Sequence, residues 1–167
     1  MSPKNAYPTH LIDVKRAIRW TKQNISSFGG DPDFIVLSGD SSGGHLSAMA
    51  SLTANDPQYQ PGFEDVDTSF RAVISVNGVL DVTNNHYRAS YFSHSVANLS
   101  KVDMEFLHQH SPASLAKHVD ALVPFLCLAG ERDNLVELDI AKNFKKSYDQ
   151  GKLTFNREHN GSNNNSS

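Results

Sequence analysis

An α/β fold with a mostly parallel sheet is predicted here, and three observations carry the prediction. Short apolar runs at 34–38, 71–77 and 122–129 alternate with stretches of helical periodicity. The first of these runs feeds directly into Gly39-Asp40-Ser41-Ser42-Gly43, and a helix opens immediately behind it. That helix is made of small residues, as close packing of a helix on a sheet requires.

In chain order, residues 9–28 read as an amphipathic helix. Thr9 is placed to cap it, Leu11, Val14, Ala17, Ile18 and Ile25 recur at helical spacing, and Gly29-Gly30 stops it. Residues 34–38 form a buried strand and 43–54 a helix. The stretch from Asp56 to Thr68 is loop, because Pro57, Pro61 and Gly62 break any regular pattern. A second strand follows at 71–77. Residues 83–119 are helical but irregular, rich in histidine and aromatic residues, and read as an inserted cap. A third strand at 122–129 precedes a helix at 137–150, and a fourth, weaker strand is expected at 152–156. The domain is then bounded at 1–157. The Asn/Ser-rich tail, 158–167, has a composition that cannot support a packed core. No internal repeat is visible.

Composition narrows the function classes. With 167 residues the chain is long enough for one domain with a real core, and 38% of its residues are hydrophobic. The net charge of −3 is scattered rather than blocked, so nothing indicates a nucleic-acid surface. No apolar stretch is long enough to span a membrane, and no signal peptide is visible. Sequons at Asn24, Asn98, Asn160 and Asn165 are weak evidence for secretion, and the compartment stays open. The lone cysteine, Cys127, lies in an apolar run and reads as a small buried hydrophobe. No Cys/His cluster has metal-ligand spacing, so neither a metal nor a cofactor is expected.

The chemistry is concentrated at Ser41. Gly-x-Ser-x-Gly alone arises by chance in about one chain of this length in twenty. Between a strand and a helix it becomes a nucleophile elbow, a strained turn that presents the serine hydroxyl at the carboxyl end of the strand. The Ser42 N–H points the same way, at a helix N-terminus, where it can meet a developing oxyanion. No lysine follows in the phosphate-loop register, which disfavours a phosphate-binding reading. A serine needs a base, and the base an orienting carboxylate. Asp133 stands in a turn just past the third strand, with Glu131 as the alternative. His159 is the one histidine after Asp133 and the candidate base. The others (10, 45, 86, 94, 108, 110, 118) precede the acid, and those of the cap read as polar surface. His45, on the elbow helix, reads as packing.

These residues together resemble the hormone-sensitive-lipase-like branch of the α/β-hydrolases, which are carboxylesterases and lipases. Tyr7-Pro8, Leu11-Ile12-Asp13-Val14 and Ala17-Ile18-Arg19-Trp20 look like the segment ahead of the family's elbow. Gly29-Gly30-Asp31-Pro32 and Gly39-Asp40-Ser41-Ser42-Gly43-Gly44-His45-Leu46 look like its approach and the elbow itself. Ser111-Pro112 and Gly130-Glu131-Arg132-Asp133 look like the segment carrying its acid. The resemblance implies a partial α/β-hydrolase fold, with flanking helices and a helical cap insertion. It implies Ser41 as nucleophile and Asp133 as acid, and with His159 as the candidate base the expected triad works through an acyl-enzyme on small-molecule esters. Two departures stand out. The family's upstream His-Gly-Gly loop, whose N–H groups complete the oxyanion hole, is not in the 40 residues before Ser41. Aligned on Phe155, the family's base falls near Asn163 rather than at His159. The chain is therefore expected to be a fragment of such a domain, marginal in isolation, and a hydrolase-like piece without chemistry is the alternative.

Overall fold

The computed structural model describes residues 4–119 and 122–161, with 153–161 described by backbone alone. Three strands, β1 (Val36–Asp40), β2 (Ala72–Val76) and β3 (Phe125–Leu128), form one sheet in the order β1-β2-β3. Both pairings are parallel. Val36 lies opposite Ala72 and Asp40 opposite Val76, while Val73 lies opposite Phe125 and Val76 opposite Leu128. All three strands therefore end at one edge.

Helix α1 (Thr9–Asn24) runs on into a 3₁₀ turn (Ile25–Phe28) that ends at Gly29, whose φ is +83°. Thr9 is the first helical residue rather than the cap. Pro8 occupies the cap position and no side chain caps the helix. The buried stripe of α1 is Leu11, Lys15 and Ile18. Ala17, expected inside, is exposed. The Lys15 side chain is fully buried: its Nζ donates to the Thr53 carbonyl and lies 3.4 Å from Gln60 Oε1 and 3.5 Å from Thr68 Oγ1. Burial lowers this ammonium to a pKa of about 8. Lys15 thus fastens α1 to the 53–68 loop.

Strand β1 is two residues later than expected. Its pairing continues to Asp40, and the Ser41 N–H donates onward to the Val76 carbonyl at 2.9 Å. Helix α2 (Ser42–Leu52) packs on β1 and β2. The irregular segment resolves into α3 (His86–Tyr91), a π-turn (Phe92–Val96), α4 (Met104–Gln109) and α5 (Pro112–Leu115). Its residues Ala89, Phe92, Ala97 and Leu107 share a core with Tyr7, Leu11, Ile18, Met49 and Val73. A second core joins Ala48, Leu52 and Leu80 to Val136, Ile140, Phe144 and Tyr148.

The fourth strand is not formed. Helix α6 runs without a break from Leu138 to Gly161, across the expected strand at 152–156. Gly151 is the reason the pattern misleads. It is no helix stop but a contact point, since a Cβ there would stand 2.1 Å from the Ala116 carbonyl oxygen. The last part of the expected tail, residues 162–167, lies outside the described residues.

The sheet has unequal faces. Leu37, Val73, Phe125 and Cys127 pack into the two cores. Val36, Leu126 and Leu128, on the opposite face, are 41%, 51% and 49% exposed.

Candidate active site

The elbow is built by glycines at two places. A Cβ on Gly39 would lie 2.3 Å from the carbonyl carbon and oxygen of Gly43, so the end of β1 and the start of α2 touch through backbone alone. A Cβ on Gly44 would lie 2.7 Å from Ser75 Oγ and 2.8 Å from Gly78 Cα, which seats α2 against the end of β2. Gly43, the second glycine of the pentapeptide, has nothing within 4 Å of such a Cβ. The close approach that the motif announces is thus made at Gly39 and Gly44.

Between them, Ser41 adopts φ +52° and ψ −115°. An L-residue in so sparsely populated a region costs about 1–3 kcal/mol and persists only where its surroundings over-determine it. Here they do. The Ser41 N–H donates to Val76, and the Ser41 carbonyl accepts from the N–H groups of His45 (3.2 Å) and Val79 (3.3 Å). Ser42 is the first residue of α2 and is exposed, so its N–H lies among the helix donors that have no intrahelical acceptor. That is where sequence reasoning puts the oxyanion donor.

Asp133 sits in the turn after β3, and its Oδ1 accepts from the N–H groups of Leu135 (2.8 Å) and Val136 (2.9 Å). These bonds hold its carboxyl below the usual carboxylate range. The turn is anchored to the middle strand, because Asn77 Oδ1 accepts from the Gly130 N–H at 2.9 Å and the Asn77 N–H donates to the Leu128 carbonyl at 2.7 Å. Asn77 does this with φ +43°, a conformation asparagine tolerates better than most residues. Sequence reasoning missed Asn77. An asparagine next to a glycine just past a strand was the available signal. Ser41 and Asp133 thus leave β1 and β3 at the same edge. The strands are separated by two strand spacings, about 10 Å. Glu131, the alternative acid, is exposed.

The His159 side chain lies outside the described residues, and its backbone is in α6, not after a strand. Among the described residues no histidine ring is hydrogen-bonded to the Ser41 hydroxyl or to the Asp133 carboxylate. His45 packs, as read from sequence: it is buried and lies against Tyr7 and Phe92 at ring-centroid distances of 5.9 and 5.5 Å. Burial pushes its pKa down to about 4, so the ring is neutral near pH 7. His110, expected on the surface with the other cap histidines, is buried too. Its Nδ1 lies 2.7 Å from the Phe106 carbonyl and its Nε2 3.1 Å from the Tyr59 hydroxyl.

The Ser111-Pro112 pair is structural. Ser111 Oγ donates to Asp81 Oδ1 (3.3 Å) and accepts from the Val82 N–H (3.3 Å), while Pro112 opens α5. Cys127 is half-buried and its thiol pKa is pushed up by desolvation, which suits packing rather than nucleophilic attack. Among the described residues no group of three or more His, Cys, Asp or Glu is placed to hold a metal ion, and no helix is long and apolar enough to cross a membrane. A hollow of about 940 Å³ bordered by Asp81, His108, Ser114 and Asn143 is lined by neither Ser41 nor Asp133.

Comparison with known proteins gives a consistent result. The family model BD-FAE matches residues 1–148. Esterase LipQ of Mycobacterium tuberculosis is 42% identical over 139 residues, which cover 81% of this chain and 33% of that protein. Esterase LipC of the same organism is 38% identical over 151 residues, covering 86% and 37%. The chain spans about a third of the length of the curated relatives it matches. Among solved structures, a truncated carbohydrate esterase from gut microbiota superposes with a TM-score of 0.74 at 23% identity, over 89% of this chain and 58% of that one. The esterase Est2 of the planctomycete Thermogutta terrifontis gives 0.66 at 24% identity, over 85% and 49%. These two likenesses establish the fold. With its parallel sheet, its elbow and this match over most of its length, the chain belongs to the BD-FAE family of the hormone-sensitive-lipase-like α/β-hydrolases.

Proposed function

We propose that this chain carries the nucleophile and the acid of a serine carboxylic-ester hydrolase. The observation that supports this most directly is the strained Ser41, φ +52°, at the same sheet edge as an Asp133 whose Oδ1 is held by two backbone N–H groups. In this reading Ser41 Oγ attacks the ester carbonyl and passes its proton to His159. The alcohol leaves, and water then hydrolyses the acyl-enzyme. Asp133 accepts from the base through Oδ2, which has no other hydrogen bond among the described residues, and holds it in orientation. The Ser42 N–H stabilises the oxyanion. Residues 83–119 act as the cap of a 1–157 domain and shape the pocket. Small-molecule esters with short apolar acyl groups are the substrate class. Relatives named as esterases support the reaction type, and the position of Ser41 supports the mechanism.

The test is labelling of the purified chain by a fluorophosphonate, beside Ser41→Ala and His159→Ala. Labelling that both substitutions abolish is expected, followed by turnover of short-chain esters. A folded chain that is not labelled would refute the reading and favour a hydrolase-like piece without chemistry. Labelling that survives His159→Ala would remove His159 from the mechanism while keeping Ser41.

A further inference from the structure

His45 is buried, close to Ser41, and has no part in the mechanism above. Its Nδ1 lies 2.9 Å from the Val79 carbonyl. A carbonyl can only accept, so Nδ1 carries the proton and donates. The ring is neutral near pH 7, which leaves Nε2 as the bare nitrogen, buried and without a partner. The Val79 N–H in turn donates to the Ser41 carbonyl at 3.3 Å, and that carbonyl also takes the His45 N–H at 3.2 Å. A closed loop of bonds results: His45 ring to Val79, Val79 to Ser41, Ser41 to the His45 backbone. Within it the 77–80 segment is tightly turned, with Asn77 at φ +43° and the Leu80 N–H donating to the Gly78 carbonyl at 2.8 Å. Tyr7 and Phe92 pack on the ring and restrict its rotation.

We propose that His45 is a positioning residue for Ser41: by donating from Nδ1 to Val79, it ties the 77–80 turn to α2 so that the Val79 N–H keeps the strained Ser41 carbonyl in place. The inference rests on the ester-hydrolase reading for its consequence, and on geometry alone for the clamp. A residue that merely fills space would be replaceable by any ring of similar size. A clamp needs a donor at the Nδ1 position. His45→Phe keeps a ring and removes the donor, whereas His45→Asn loses the ring and keeps a short amide that can donate from near the same place.

Two readouts on the whole chain decide it: hydrogen exchange of the Val79 amide by NMR, and the rate constant of fluorophosphonate labelling. With His45→Phe the Val79 amide is expected to exchange about tenfold faster, the factor that corresponds to losing one hydrogen bond. Labelling is expected to slow by a similar factor, through the maximal rate and not through the probe concentration needed for half-saturation. His45→Asn restores most of both. A His45→Phe protein that keeps both within about twofold of the parent would overturn the proposal. If His45→Phe does not fold, His45→Gln, whose amide lies one methylene further out, takes its place with the same expectations. If the parent is not labelled, the ester-hydrolase reading falls, and amide exchange alone decides the clamp.

Discussion

Adding one methyl group at each of three glycines of the elbow separates shape from chemistry. At Gly39 the new Cβ would sit 2.3 Å from Gly43 backbone atoms, more than 1 Å inside ordinary contact, and neither partner is a side chain that can swing away. Overpacking costs typically 1–3 kcal/mol, and a clash of backbone with backbone belongs at the upper end, so Gly39→Ala should cost about 3 kcal/mol. At Gly44 the Cβ would meet Ser75 Oγ at 2.7 Å and Gly78 Cα at 2.8 Å. A similar clash there is offset by the roughly 1 kcal/mol that alanine gains over glycine in a helix, which leaves a net cost of about 1–2 kcal/mol. At Gly43 the Cβ meets nothing within 4 Å, so only the helix gain remains and Gly43→Ala should stabilise by about 0.5–1 kcal/mol. Urea unfolding followed by far-UV circular dichroism measures all three. With a slope of about 1–3 kcal/mol per molar, Gly39→Ala should lower the midpoint by about 1 M or more, and Gly43→Ala should raise it slightly. The open space at Gly43 lies beside Ser41, where the proposed acyl-enzyme needs room. Gly43→Ala should therefore slow fluorophosphonate labelling while leaving the fold intact. A Gly43→Ala protein as damaged as Gly39→Ala, or a Gly39→Ala protein with an unchanged midpoint, would refute the assignment of the glycines.

Three further outcomes concern buried ionisable groups. Lys15→Ala should cost about 3 kcal/mol, because it leaves a cavity; Lys15→Met should cost less than about 1.5 kcal/mol, because it fills that space, the Thr53 carbonyl keeps the Asp56 N–H, and Gln60 and Thr68 already bond each other at 2.6 Å; thermal melts at fixed pH rank the two. The folded pKa of Lys15, about 8, lies below its unfolded value. The unfolded chain therefore binds more protons between about pH 8 and 10, and stability should rise with pH there by up to about 1.4 kcal/mol per unit, a slope that either substitution abolishes. His45 has its folded pKa lowered from 6.5 to about 4, and His110 is lowered in the same direction. Their contribution is present above the unfolded value of 6.5 and is lost as pH falls toward 4, so urea midpoints should drop across that window, less so in His45→Phe if it folds.

The strands and the elbow were legible because they depend on local pattern. Apolar runs located β1, β2 and β3, and the pentapeptide located Ser41 before any fold was known. Asp133 was legible from its place after a strand. What escaped depends on who meets whom across the chain. Lys15 falls on the buried stripe of α1, which no periodicity scale allows a lysine to join. Its neutral oxygen partners come from residues 53–68, far along the chain. Gly151 falls between the expected helix and the expected strand, and the Ala116 carbonyl that it accommodates lies 35 positions earlier. His110 looked like cap surface because its partner, Tyr59, belongs to a loop with no regular pattern. Asn77 carries a polar residue's ordinary turn signal, and its tie to Gly130 appears only once β2 and β3 are side by side.

The sheet carries one more consequence. Its strands, Val-Leu-Ser-Gly-Asp, Ala-Val-Ile-Ser-Val and Phe-Leu-Cys-Leu, each begin with apolar residues at consecutive positions rather than in strict alternation. A slip of one residue in β3 would still put apolar residues on both faces, so the pattern alone specifies register weakly, and what it would lose is the packing of Phe125 on Phe144 and Tyr148. The features that distinguish one alignment from the next lie at the strand ends: the Gly39–Gly43 contact, the Ser41 N–H on Val76, and the Asn77 bonds to Leu128 and Gly130. The turns that carry Ser41 and Asp133 are therefore also the pins that fix which residue pairs with which. On the ester-hydrolase reading, reactivity at this edge and correct strand pairing depend on the same few residues.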